Sequence, residues 1–167
     1  MIELELVRTP TDRKLYRLDG IGTLRFAGAF SRTATAASDG NSWRFTRRGF
    51  WRQVIHAADA ADVVVGEFVP RGVRRGGTLR WGERRLTLRA TGLVRERYVL
   101  VDGDRALARI DAKSWGSRPV MVAFDVAHVV EPGLVLFASF VVHQLAADAA
   151  NVTAAGATAA VAAASCG

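Results

Sequence analysis

Apolar and polar residues alternate through most of the first 125 positions. Ile2, Leu4 and Leu6 interleave with Glu3, Glu5 and Val7; Leu24 and Phe26 with Thr23 and Arg25; Leu79 and Trp81 flank Arg80. Leu86 and Leu88 flank Thr87, Tyr98 and Leu100 follow Arg95 and Arg97, and Val120, Val122 and Phe124 close the series. A period of two predicts strands with one buried and one wet face, the signature of antiparallel rather than doubly covered parallel sheets. Turn sequences punctuate the runs: Asp19-Gly20, Asp39-Gly40, Gly76-Gly77, Gly82-Glu83 and Asp102-Gly103. Their glycines supply the positive φ of tight hairpins, and the spacing predicts about ten to twelve strands. No helical period interrupts them, so the pattern predicts a closed barrel or a sandwich.

The pattern changes after Asp125. Glu131-Pro132-Gly133 is a helix-start sequence. Leu134 to Val142 follows, apolar on every side save Ser139, and then His143 to Asp148. A helix without a polar face must be enclosed, whether by protein, lipid or a second subunit. It falls short of the about 20 apolar residues of a comfortable bilayer span. The expectation is a core helix over about 133–148, threaded through or capping the barrel, within one domain of residues 1–148. Residues 149–167 form an Ala-rich tail, expected to be partly helical from Val152 to Ala164. The fold class expected is therefore mainly β: an antiparallel closed barrel of about 12 strands with a buried apolar C-terminal helix.

A faint repeat runs through the strands. Gly49 to Phe68 and Gly92 to Ile110 both read as strand, Asp-bearing turn, strand, their leading glycines 43 residues apart. The second unit ends in Asp102-Gly103-Asp104-Arg105-Ala106-Leu107-Ala108-Arg109-Ile110. Together with Trp43-Arg44-Phe45 and its basic continuation, and with Glu131-Pro132-Gly133 before the apolar helix, it resembles the tubby C-terminal-like superfamily. That superfamily includes the plant LURP-one-related proteins and the phospholipid scramblases, and the resemblance covers roughly residues 15–148. It implies a helix inside the barrel and a role at membranes or in phosphoinositide binding rather than catalysis. The chain departs from scramblases in lacking their cysteine-rich palmitoylation segment and acidic calcium stretch. Tubby's headgroup-binding residues have no one-by-one counterpart here.

Charge adds the only hint of a partner. The net charge is +7, and Arg44 to Arg97 holds 13 Arg against Asp59, Asp62, Glu67, Glu83 and Glu96. A basic stretch suits an anionic partner such as phospholipid headgroups, nucleic acid or an acidic protein. An Arg-, Ala- and Gly-rich composition of the kind GC-rich bacterial genomes encode accounts for it equally. The first candidate is Arg71-Gly72-Val73-Arg74-Arg75-Gly76-Gly77 with Arg84 and Arg85, in which glycines admit a phosphate and arginines donate to it, although no P-loop is present. The second is Trp43 to Arg52, which adds Arg47 and Arg48 and interleaves aromatics as single-strand nucleic-acid binders do. Phe50 and Trp51 are adjacent, so one of them faces outward or sits in a turn, where it suits a membrane interface.

Catalytic and metal chemistry has little to work with. His56, His128 and His143 are scattered, Cys166 is the single cysteine, and Ser114, Ser117 and Ser139 lack a nucleophile-elbow context. Asp102 and Asp104 read as a hairpin turn rather than a calcium loop. The expectation is a non-enzymatic binding or scaffold module with no cofactor and no metal, contacting anionic lipid headgroups. A nucleic-acid-binding barrel is the alternative. With no export signal legible at Met1 to Arg8, the location expected is cytoplasmic, peripheral at the inner face of the membrane.

Overall fold

The structure is a computed structural model and describes residues 2–28, 31–49, 53–72, 76–92, 97–112, 120–124 and 131–164. Twelve strands follow in chain order: β1 Ile2–Arg8, β2 Leu15–Leu18, β3 Gly22–Phe26, β4 Thr33–Ser38, β5 Asn41–Arg48, β6 Val54–Asp59, β7 Val64–Pro70, β8 Gly76–Trp81, β9 Arg84–Ala90, β10 Arg97–Asp102, β11 Arg105–Asp111 and β12 Val120–Phe124. Each pairs antiparallel with its chain neighbours, and β1 pairs with β12 to close the barrel. The expected architecture is the one observed. At the β4–β5 turn, Asp39 and Gly40 both have positive φ, 45° and 80°. Two successive positive values are what a two-residue hairpin connection needs to match the twist of its strands.

The repeat seen in the sequence is a bulged hairpin used twice. β6 starts at Val54 and β10 at Arg97, 43 residues on, and the ladders β6–β7 and β10–β11 both slip register, after Ala57 and after Leu100. A bulge breaks strict alternation. The extra residues are Val65 in β7 and Leu107 in β11, and Leu107 is buried together with its neighbour Ala108.

The helix α1, Pro132–Ala164, fills the barrel. Twelve strands about 4.8 Å apart and tilted by about 40° give a backbone diameter of roughly 24 Å. Inward side chains alone leave a void at that width, and a helix about 10–12 Å across fills it. Leu134 to Val142 are nine consecutive residues, each 2% exposed or less. A helix buried on every face has to be apolar on every face, which is what the sequence provides. Pro132–Ala149 has the length and composition to cross a membrane, but 67% of it is buried inside the protein. Ser139 satisfies its hydroxyl by donating to the Val135 carbonyl at 2.8 Å.

The helix lies closest to β4 and β3. There the inward residues include Ala34 and Ala36, while Leu86, Leu88, Tyr98 and Leu100 project inward across the barrel. The small inward residues of β4 let the helix approach that strand and set it off centre. Phe137 and Phe140 meet Phe45 at ring distances of 5.2 and 5.6 Å. One boundary differs from expectation: the backbone has no break near 148 and runs as a single helix to Ala164. Alanine-rich sequence propagates a helix that is already nucleated by its buried half.

Candidate anion-binding rim

Up-and-down topology divides the connections between two ends. The helix enters at the end formed by the β2–β3, β4–β5, β6–β7, β8–β9 and β10–β11 turns. Glu131 accepts a 2.7 Å hydrogen bond from Trp81 Nε1 there. A Cβ on Gly133 would lie 2.6 Å from the Trp81 ring and 2.7 Å from that of Trp43, so only glycine lets the helix pass between the two indoles. The turns of this end carry Asp19, Asp39, Asp62, Glu83 and Asp104 and no basic residue.

The helix leaves at the opposite end. Arg13, Lys14, Arg32 and Arg71 lie in the connections here, with Arg48 at the end of β5, and all five are exposed. None of the five pairs with a carboxylate among the described residues. Among the described residues, the acids at this end are otherwise engaged: Asp12 with Arg25 at 2.8 Å, Asp111 with Arg97 at 2.9 Å, and Asp148 with Arg47. The result is a rim of exposed cations at the exit of the helix, opposite a set of acidic turns.

The candidate residues separate along this axis. Arg71 and Arg48 sit on the basic rim. Arg84 and Arg85 do not join them, because the six residues of β8 lie between the β7–β8 connection and the β8–β9 turn. They stand at the acidic end, roughly 17–20 Å away at strand rise. Arg84 is held there by Asp102 at 2.8 Å. Arg47 is not a surface cation. Strand alternation turns Trp43, Phe45 and Arg47 inward, and the Arg47 side chain is 8% exposed. It grips Asp148 with both terminal nitrogens, Nη1 at 3.0 Å, and Nη1 also donates to Gln144 Oε1 at 3.4 Å. Gln144 in turn donates to the Ser31 carbonyl at 3.1 Å. Arg74 and Arg75 lie outside the described residues, as do Phe50, Trp51 and Arg52.

Residues that the sequence left scattered find local roles. Trp43 packs against Trp81, with ring centroids 6.2 Å apart, and Phe45 is fully buried. The strand that suggested a stacking surface therefore spends Trp43 and Phe45 on the core. His56 meets Glu67 at 3.3 Å on the outer wall. His143 lies against Phe26 with ring centroids 4.6 Å apart, and burial lowers its pKa from the ordinary 6.5. Asp102 is the partner of Arg84. Ser114, Ser117, His128 and Cys166 lie outside the described residues.

Among the described residues no three of His, Cys, Asp and Glu come together as a metal site would require. A cleft of about 450 Å³ on the outer wall is lined by Glu3, Arg97, Val99, Arg109 and Asp111 among others. Its charges alternate and Arg97 is committed to Asp111. Sequence reasoning missed Arg13, Lys14 and Arg32 because they lie outside the Arg44–Arg97 stretch, and it is the alternating strand direction that brings their connections to the end holding Arg48 and Arg71. Comparison with known proteins finds no matching family model, no matching curated protein and no matching solved structure.

Proposed function

We propose that this domain is a non-enzymatic binding module that docks its basic rim on an anionic phospholipid surface. The observation that carries the reading is the segregation of charge along the barrel axis, with Arg13, Lys14, Arg32, Arg48 and Arg71 exposed at one end and paired with no carboxylate among the described residues. Each cation held near an anionic leaflet contributes about 1 kcal/mol, so five of them support reversible attachment. The lumen, where barrels of this width hold ligands, is taken up by α1, which favours binding over catalysis. A helix-filled twelve-strand barrel is also what the tubby-like resemblance implies, and we include that kinship in the proposal. The anionic leaflet available to such a module is the cytoplasmic one. A single-stranded nucleic acid stacks on outward aromatics, and Trp43 and Phe45 of the candidate strand are turned into the core instead.

Vesicle sedimentation tests this. The protein is expected to sediment with vesicles containing phosphatidylserine or a phosphoinositide and to stay in solution with phosphatidylcholine alone. The triple variant Arg32→Glu, Arg48→Glu and Arg71→Glu is expected to lose binding at least tenfold, whereas Arg85→Glu at the other end leaves it unchanged. Equal binding to neutral and anionic vesicles sinks the proposal.

A further inference from the structure

The helix does not stop where the barrel does. Arg47 holds Asp148 at the basic end, yet the backbone continues as helix to Ala164. Sixteen more residues at 1.5 Å each carry it about 24 Å past that ion pair. From Ala149 to Gly167 the sequence has no charged side chain. Asp148 is the last carboxylate before this stretch, and Arg47 neutralises it from within the barrel. The projecting segment thus starts in the middle of the cationic rim, satisfies its backbone within the helix and brings no charge with it.

We infer that residues 149–164 insert into the same anionic bilayer on which the rim docks. This rests on the reading of the rim given above. At about 24 Å the segment is shorter than the roughly 30 Å hydrocarbon core, so it enters one leaflet and part of the next without spanning. Helix is the form in which a chain can enter lipid, since every backbone donor and acceptor short of the ends is paired internally. Alanine partitions weakly on its own. Insertion therefore depends on the rim, and the two act together in the way that stable membrane attachment commonly takes two signals. A rim without the segment gives a salt-labile contact; the segment without the rim gives no anchoring. The arrangement also fixes orientation, with the barrel axis standing up from the membrane and the acidic turns pointing away.

The test uses the full chain and its single cysteine, Cys166. An environment-sensitive fluorophore on that thiol reports whether the end of the segment leaves water. The expected result is a blue shift with phosphatidylserine vesicles and none with phosphatidylcholine vesicles. Val152→Lys with Val161→Glu should remove the shift and weaken vesicle binding about tenfold or more, since a charge on an inserted helix is costly. Three results would overturn the inference, each differently. Sedimentation with an unshifted probe leaves the rim reading standing and removes insertion. A lack of sedimentation removes both. A blue shift in the absence of vesicles, together with a doubled solution mass, shows that a second copy covers the segment instead.

Discussion

At the scale of single residues, the interior polar groups at the exit of the helix control stability. Arg47 is almost fully enclosed while Asp148 is half exposed, so the pair lies between a buried and a surface bridge. Removing the carboxylate strands a buried guanidinium. Asp148→Ala is expected to lower the unfolding free energy by about 1–3 kcal/mol, below the 3–5 kcal/mol of a fully buried pair. A denaturation midpoint that does not move would contradict this. His143 gives a pH signature. Its folded-state pKa is lowered by burial, so below 6.5 the unfolded chain binds the proton more readily than the folded one. Stability should then fall as pH drops from 6.5 toward the folded pKa, with a slope of at most about 1.4 kcal/mol per pH unit. In His143→Leu this slope should vanish from urea melts taken between pH 7 and pH 5. Both residues stood out in the sequence, Arg47 as a surface cation and His143 as an interior one. Alternation along β5 decides the first: with Phe45 fixed as core, position 47 shares its face.

Elements were more legible than sites. Alternation and turn residues predicted the strands, and an apolar run with no polar face predicted the core helix, because those patterns answer directly to burial. The continuity of the helix past residue 148 was less visible, since alanine reads as weak helix or tail until a buried segment nucleates it. The fit between elements depends on glycines whose role no local pattern announces. Gly133 lets the first turn of α1 pass between Trp43 and Trp81, and Gly66 lies under the Trp81 ring, where a Cβ would come within 2.7 Å. Gly133→Val is expected to cost about 1–3 kcal/mol through overpacking, with changed tryptophan emission as the two indoles part. The residue has no positive φ to protect, so an unchanged spectrum and melting temperature would show that the helix has room to shift.

Over the whole molecule, topology turns sequence-distant charges into a surface. Arg13, Lys14, Arg32, Arg48 and Arg71 come from three connections and a strand end, and they share one rim because every odd-numbered strand finishes there. The clustering of arginines between Arg44 and Arg97 pointed to an anionic partner but not to the residues that would meet it, since antiparallel strands deliver alternate connections to opposite ends. Exposed charges a Debye length of about 8–10 Å from a surface are screened by salt. Binding that rests on the rim should therefore fade as salt rises toward 0.5 M, and vesicle sedimentation across a salt series reads this directly.

The closing ladder between β1 and β12 has a kinetic consequence. Eleven of the twelve strand pairings join neighbours in the chain and form with short loops. The twelfth brings Ile2 opposite Phe124, and the helix that fills the interior comes later still. Long-range closure is entropically slow, and local hairpins gain little until it occurs. A growing chain thus carries an open sheet with two unpaired edges and an unfilled concave face until residues beyond about 140 leave the ribosome. At synthesis rates of about 5–20 residues per second that exposure lasts seconds, the interval in which edge strands recruit other chains. For this domain the moment of vulnerability is its birth, and the helix that follows the barrel is what ends it.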